Sequence, residues 1–278
     1  MNAPTHALPE PLRDKVDAIL DELAALPSIV VAFSGGVDSS VVAALAQRAL
    51  GDAAVAATAV SETLAGHELE EARAIASEIG ITHSLVSFSE LDDPNFRANT
   101  SARCFFCQSM RFDQMRALAD TLGFDAVASG SNASDVGDHR PGLEAMAQRR
   151  VLQPLLTYDV SKEEVRHIAK WLGLTVWDKP AKACLSSRIP HGLEVTEARL
   201  RRVEAAENVL LGLGFQQFRV RDHGGHARVE IAPDEIAGAL TPQILSTIAD
   251  GVLEAGFSTV SLDLVGYRSG SLNPLKSG

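Results

Sequence analysis

The chain has 278 residues, of which 46% are hydrophobic, and a formal net charge of −11. That composition is enough for a real core in one large domain or two modest ones, and the acidic balance argues against nucleic acid or an anionic membrane as a main partner. Residues 1–11 lack the basic-then-apolar layout of a signal peptide, and no apolar run reaches the length of a membrane span, so the expectation is a cytoplasmic protein.

In chain order, Ser28–Phe33 predicts a strand and Ser39–Leu50 a helix, joined by Ser34-Gly35-Gly36-Val37-Asp38-Ser39-Ser40. A glycine turn between strand and helix start presents unbonded N–H groups and partial positive charge to an anion. Gly35 and Gly36 allow close backbone approach, and the hydroxyls of Ser34, Ser39 and Ser40 add donors. A P-loop would need G-x-x-x-x-G-K followed by Ser or Thr, and no lysine stands here. The heptad is therefore expected to hold nucleotide phosphate. Asp38 is placed for Mg2+ or pyrophosphate, because a hard cation takes carboxylate oxygen; the alternative is a plain helix cap.

Ala53–Val60 and Thr82–Phe88 predict strands on either side of a helix over Glu68–Ile79. A break around Asp92-Asp93-Pro94-Asn95 leads to Cys104-Phe105-Phe106-Cys107, a helix over Gln108–Leu122 and a short strand Ala126–Ser129. Strands alternating with amphipathic helices predict an α/β fold, a doubly wound parallel sheet with helices on both faces. Ligands of such sheets gather at the carboxyl ends of the strands. The heptad, Ser61 and Gly130-Ser131-Asn132 all fall on that edge. A helix over Lys162–Leu172 stops at Gly173, and the proline-bounded stretch from Trp177 to Gly192 reads as loop.

Beyond residue 190 the pattern changes to a helix over Glu197–Leu211 and two short strands, Gln217–Arg221 and Arg228–Ile231, around His223-Gly224-Gly225-His226. Helices near Asp234–Leu240 and Pro242–Ala255 and a strand Thr259–Leu264 follow. The expected organisation is a larger α/β domain over 1–190 and a small α+β domain over 191–278. Three cysteines, Cys104, Cys107 and Cys184, make a poor disulfide framework. The C-x-x-C spacing lets two thiolates reach one metal or cluster. Three thiolates suit zinc as well as iron–sulfur. The histidines show no metal-ligand spacing.

The heptad resembles the PP-loop, S-G-G-x-D-S, of N-type ATP pyrophosphatases, which cleave ATP between the α and β phosphates and adenylate a carbonyl or carboxylate oxygen. Three further segments narrow the likeness: Arg103-Cys104-Phe105-Phe106-Cys107, the run Lys179 to Gly192 around Ala183-Cys184-Leu185-Ser186-Ser187-Arg188, and Asp263-Leu264-Val265-Gly266-Tyr267-Arg268-Ser269-Gly270-Ser271. Together with the heptad they are similar, from about Leu20 to Asn273, to the LarE family of ATP-dependent sulfur transferases in nickel-pincer nucleotide biosynthesis.

The resemblance implies an adenine nucleotide alpha hydrolase-like (HUP) fold, with ATP and Mg2+ at Ser34, Gly35, Gly36, Asp38, Ser39 and Ser40; Ser61 is expected beside them from its place on the same strand edge. It implies a pyridinium bis-carboxylate mononucleotide as small-molecule substrate. Adenylation makes AMP the leaving group, and sulfur then displaces it. Asn132 and Asp135 are implied on the nucleotide or substrate side, and Glu207 matches a family position implicated in sulfur transfer. Read from their own chemistry, Arg140 is expected on a loop that brings a cation to phosphate, and Ser187 and Arg188, close behind Cys184, to hold the acyl phosphate as sulfur attacks. Arg219, Arg221 and Arg268 are implied to bind a substrate phosphate. Cys104, Cys107 and Cys184 match the family type in which three cysteines hold a [4Fe-4S] cluster with one iron open to sulfide, rather than the type that sacrifices a single cysteine sulfur. A sulfide donor and a homo-hexamer are implied as partners. The main alternative is a PP-loop, [4Fe-4S]-dependent tRNA thiolation enzyme, which would need a basic RNA-binding surface. A third reading is a nucleotide-binding or Fe–S carrier protein without turnover.

Overall fold

Alternating residues of one short strand set the plan of the larger unit. In a computed structural model describing residues 7–135, 141–180 and 183–268, β1 (Ile29–Ala32) sends Ile29 and Val31 to one face of a sheet and Val30 to the other. The sheet has the order β3-β2-β1-β4, with β2 (Ala54–Val60), β3 (Thr82–Ser87) and β4 (Ala126–Ala128) all parallel to their neighbours. Both faces are covered by helices, as parallel sheets require.

On the Ile29 and Val31 face lie α1 (Glu10–Ala24), α2 (Val37–Leu50), α3 (Gly66–Ile79) and, further along the chain, α8 (Lys162–Trp171). On the Val30 face Phe112, Met115 and Ala119 of α5 (Arg103–Leu122) pack beside Met146 of α6 (Pro141–Gln148). The sheet expected from the alternation of strands and helices is thus present, with helices on either side.

The sequence reading gives residues 10–24 no element, yet Leu12, Val16, Ile19 and Leu23 of α1 are buried. Their spacing is one stripe of a 3.6-residue period. Fully burying each such side chain stabilises the fold by roughly 1.5–3 kcal/mol. The same reading puts the Cys104–Cys107 pair ahead of a helix starting near Gln108. The pair lies inside the first turns of α5, which starts at Arg103 after a turn in which Arg103 N donates to the Thr100 carbonyl at 3.0 Å.

The described residues fall into two compact units, 1–89 with 104–182 and 90–103 with 183–278. The first α-helix of the second unit is the short α4 (Pro94–Arg97), capped by Asp93, whose carboxylate accepts from Asn95 N. The unit continues with α9 (Glu197–Gly212), the antiparallel hairpin of β5 (Phe218–Asp222) and β6 (His226–Ile231), α10 (Ile236–Ala239), α11 (Pro242–Glu254) and β7 (Thr259–Leu262), which runs parallel to β6. The last strand ends two residues earlier than the sequence suggests, because Asp263 turns the chain by accepting from Val265 N at 2.8 Å. In the first unit a four-residue α7 (Pro154–Thr157) precedes α8.

The chain returns from β3 to β4 on the far side of β1, so the strand order reverses between β1 and β4. A crevice opens at such a switch point, outside the carboxyl ends of the strands. Here Gly130 runs against the start of α2: a Cβ on it would stand 2.6 Å from Ser39 N and 2.9 Å from the carbonyl carbon of Asp38. Backbone cannot yield as a side chain can, so Gly130→Ala is expected to destabilise the protein by about 1–3 kcal/mol. Gly212→Ala, where a Cβ meets nothing within 4 Å, is expected to be neutral or stabilising by up to about 1 kcal/mol. Urea titration of both variants checks the contrast.

Candidate active site

The start of α2 is built from its own serines. Ser34 N donates to Ser39 Oγ at 3.2 Å, Ser39 Oγ donates to the Gly36 carbonyl at 3.1 Å, and Gly36 N reaches Ser34 Oγ at 3.3 Å. Gly35 has φ +69° and presses on α3, where a Cβ would stand 2.8 Å from Ala72 Cα; no other residue fits there. Ser40 is fully buried, and its hydroxyl has no partner among the described residues. The α2 N-terminus carries no side-chain cap. Asp38 instead turns to the β4 side, where its Oδ1 accepts from Asn132 Nδ2 at 3.0 Å and its Oδ2 from Lys162 Nζ. Asn132 and Lys162 are themselves tied to Ser134, whose N–H donates to Asn132 Oδ1 at 3.0 Å and whose Oγ accepts from Lys162 N at 2.9 Å.

Lys162 enters the sequence reading only as the first residue of a helix. The available signal is a lysine directly after a serine cap, in a chain whose phosphate loop lacks one. Ser61, on the same strand edge, has its Oγ 3.1 Å from Thr63 Oγ1, which also accepts from Arg111 Nη2 at 2.9 Å. Asp135 ends a short 3-10 turn, Ala133–Asp135; its side chain and the whole of Arg140 lie outside the described residues.

Beneath the heptad, Thr58 Oγ1 donates to the Phe33 carbonyl at 2.7 Å and stands 2.7 Å from His83 Nε2. The single hydroxyl proton goes to the carbonyl, so His83 Nε2 is the donor to Thr58 and the neutral ring carries its proton there. Burial, and then the Arg73 charge, hold the His83 pKa below its ordinary 6.5.

Cys104 is exposed and Cys107 buried, three residues apart on α5 and so on one helix face. They belong to the first unit and Cys184 to the second. None of the three is in a disulfide, and among the described residues no group of three or more His, Cys, Asp or Glu side chains is gathered as a metal site.

In the second unit Cys184 Sγ lies 3.1 Å from Ser186 Oγ. Arg188 is 4% exposed and forks onto Glu207, Nε to Oε1 at 2.9 Å and Nη2 to Oε2 at 3.0 Å. Its Nη1 donates to the Ala183 and Cys184 carbonyls and to Ser187 Oγ, the last two at 3.0 Å. Glu207 Oε1 also accepts from Val220 N at 3.0 Å, so this glutamate is no exposed helix residue. Arg221, likewise buried, pairs with Glu230 at 3.0 Å and donates to the Ser187 carbonyl at 3.2 Å. Arg219 is half-buried, 5.0 Å above the Tyr267 ring, and has no ion-pair partner among the described residues. Burial, with the Arg188 and Arg221 charges, lowers its pKa against the pull of Glu207. An anion there would relieve that cost. Arg268 is exposed.

Two outcomes follow. Removing one partner of a buried ion pair strands the other, so Glu207→Ala is expected to cost about 3–5 kcal/mol of folding free energy, read by urea titration. Because the folded chain holds the His83 proton less tightly than the unfolded chain, the stability contributed by neutral His83 is complete above pH 6.5 and is lost as pH falls through 6.5 and the lower folded value. Melting temperature should therefore fall more steeply between about pH 7 and about pH 5 in the wild type than in His83→Gln; equal slopes would contradict this assignment.

Residues 10–105 match the family described as NAD synthase. Over the whole chain, an uncharacterized protein of Synechocystis sp. is 44% identical, covering 94% of this chain and 98% of its own length. Pyridinium-3,5-bisthiocarboxylic acid mononucleotide synthase of Lactiplantibacillus plantarum is 34% identical, covering 94% and 95%. The tRNA-specific 2-thiouridylase MnmA of Bartonella tribocorum is 32% identical but covers 54% of this chain and 46% of its own length. On the near-complete match to the mononucleotide synthase, and with a PP-loop at the switch point of a parallel sheet, the chain belongs to the LarE family of PP-loop enzymes.

Proposed function

We propose that this chain is an ATP-dependent sulfur transferase that converts the carboxylates of pyridinium-3,5-biscarboxylic acid mononucleotide to thiocarboxylates. The observation that carries the reading is Asp38, held by Asn132 and Lys162 where the sheet's strand order reverses. A carboxylate beside a lysine and bare helix-start N–H groups suits the Mg2+ and phosphates of ATP, which is a substrate here. In the reaction, a substrate carboxylate oxygen attacks the α-phosphorus and the bond to pyrophosphate breaks. Sulfide sulfur then attacks the acyl carbon, the C–O bond to AMP breaks, and a thiocarboxylate is left.

The roles follow the chemistry of each residue. Ser34, Gly35, Gly36, Ser39 and Ser40 take phosphate, and Ser61, Asn132, Asp135 and Arg140 serve the nucleotide or substrate side. Arg219 is the cation best suited to the substrate phosphate, because its guanidinium is desolvated without a carboxylate partner; Arg221 and Arg268 assist. Arg188 and Glu207 hold the backbone around Cys184, with Ser187 beside them. Cys104, Cys107 and Cys184 would hold a [4Fe-4S] cluster: a donor set of three thiolate-forming cysteines, none in a disulfide, fits one. Such a cluster would supply an open iron for sulfide from an external donor. A homo-oligomer belongs to this reading, with Leu240, Leu245, Leu253 and Leu264 offering exposed apolar surface in the second unit. No helix among the described residues is long and apolar enough to cross a membrane, and a cytoplasmic location is part of the proposal.

The test is anaerobic turnover with ATP, Mg2+, sulfide and the pyridinium mononucleotide. Wild type should release pyrophosphate only with that substrate, and Asp38→Asn should lower kcat/KM by about 100-fold. Cys104→Ala should lose bound iron after reconstitution, with the wild-type polypeptide mass unchanged by turnover. Loss of about one hydrogen sulfide from Cys184 per turnover would replace the cluster with a sacrificial cysteine. Pyrophosphate release that depends on tRNA and falls with salt would replace the substrate.

A further inference from the structure

Asn99 is a fully buried residue with a left-handed backbone, φ +52°, outside every helix and strand. Asparagine tolerates that conformation better than most residues, yet burying its amide is costly unless each polar atom is met. All of them are. Its Nδ2 faces the carbonyls of Ile189 at 3.2 Å, Pro190 at 2.8 Å and Leu193 at 2.7 Å. Its Oδ1 accepts from Arg103 Nη1 at 2.7 Å, and the same Nη1 reaches the Ser186 carbonyl at 2.8 Å. Its own carbonyl accepts from Gly192 N at 3.1 Å, and Val195 N donates to the Arg97 carbonyl at 2.9 Å.

The partners that segment 90–103 finds in these bonds all sit on the stretch that follows Cys184. Within residues 184–193 that stretch forms one short 3-10 turn, Leu185–Arg188, and the N–H groups of Ser187, Ile189 and Leu193 meet the Cys184, Ser186 and Pro190 carbonyls; the acceptor positions left over take donors from elsewhere. Arg188 serves Ala183 and Cys184, and Arg221 serves Ser187. Asn99 and Arg103 serve Ser186, Ile189, Pro190 and Leu193. The loop is thus gripped from two directions: by arginines that belong to the chemistry already assigned, and by a pair from segment 90–103, which that chemistry does not use.

We infer that Asn99 and Arg103 are positioning residues for Cys184: a buried clasp that holds the backbone of 186–193 in one conformation and thereby aims the Cys184 side chain. The inference deepens the proposed function, since it gives the clasp a purpose in sulfur delivery. The geometry of the clasp stands independently of that purpose. A misplacement of about 1 Å in a reacting group is enough to cost about 100-fold in rate.

The experiment uses the full chain and two variants, Asn99→Ala and Arg103→Lys, each read four ways. Amide hydrogen exchange of 184–195 is compared with that of β5, β6 and β7, and the alkylation rate of Cys184 by iodoacetamide is followed by mass spectrometry. Pyrophosphate release and thiocarboxylate formation are measured separately. In Asn99→Ala, exchange over 184–195 and alkylation of Cys184 should rise about tenfold while the sheet is unchanged. Thiocarboxylate formation should fall about 100-fold with pyrophosphate release within about threefold. Arg103→Lys keeps a cation near Asn99 and Ser186 and should show the same pattern more weakly, so it carries the test if Asn99→Ala does not fold.

Unchanged exchange and alkylation would overturn the clasp. So would a rise shared equally by the sheet, or equal loss of both half-reactions, because either marks a residue of general stability. If wild type forms neither pyrophosphate nor thiocarboxylate, the functional reading fails, while exchange and alkylation still decide whether the clasp exists.

Discussion

A guanidinium carried into a protein interior loses several kcal/mol of hydration, and only a carboxylate in good geometry with further acceptors offsets that loss. Arg188 meets this condition through Glu207 and two carbonyls. The consequence reaches well beyond the pair. Glu207 sits on α9 and accepts from Val220 N of β5, so helix, strand and the Cys184 loop share one set of hydrogen bonds. The same solution recurs nearby, where buried Asp222 takes Arg199, Arg202 and the N–H groups of Gly224 and Gly225. An interior organised by charge tolerates few conformations, because displacing any member leaves another charge stranded.

The first unit reaches rigidity by the opposite route. Its sheet is rich in alanine and valine, and the small side chains bring helices close to the strands. Close approach is what places Gly130 against the backbone of Asp38 and Ser39. A larger residue at either side would widen the switch point and separate Asn132 from Asp38. The polar groups at the edge of this core, Asp38, Lys162, Asn132 and the uncapped start of α2, gather at one place, which the proposed function assigns to the phosphates of ATP and their cation.

How much of this is legible in the sequence depends on range. Strand alternation and the helical stripe are local signals, and β1 to β4, α2, α3, α9 and α11 appear close to where periodicity puts them. The stripe of α1 is equally local, but it adjoins an N-terminal stretch read only for targeting signals. The glycine heptad is legible because its chemistry is contiguous. The contacts that complete the site are not. Lys162 meets Asp38 across 124 positions, and Asn99 meets Pro190 across 91. No spacing rule links such pairs, because the fold and not the local chain sets their distance. Arg188 and Glu207 each stand out in the sequence, but nothing in one sequence says that they face each other.

That pairing bears on what Glu207 does. Its Oε1 already accepts from Arg188 and Val220, its Oε2 from Arg188, and the residue is 5% exposed. A general base has to reach the proton it takes, within hydrogen-bond distance or through one water. A glutamate enclosed in this way acts most directly on the guanidinium it orients. Through Arg188 it fixes the Ala183 and Cys184 carbonyls, which in the proposed function sets the direction from which sulfur would be offered. The geometry therefore favours Glu207 as a positioning residue. It also accounts for an arginine so close to Cys184 having so little exposed surface: its hydrogen bonds hold the backbone, whereas the half-buried Arg219 has no ion-pair partner among the described residues and, in the proposed function, is the charge left for a phosphate.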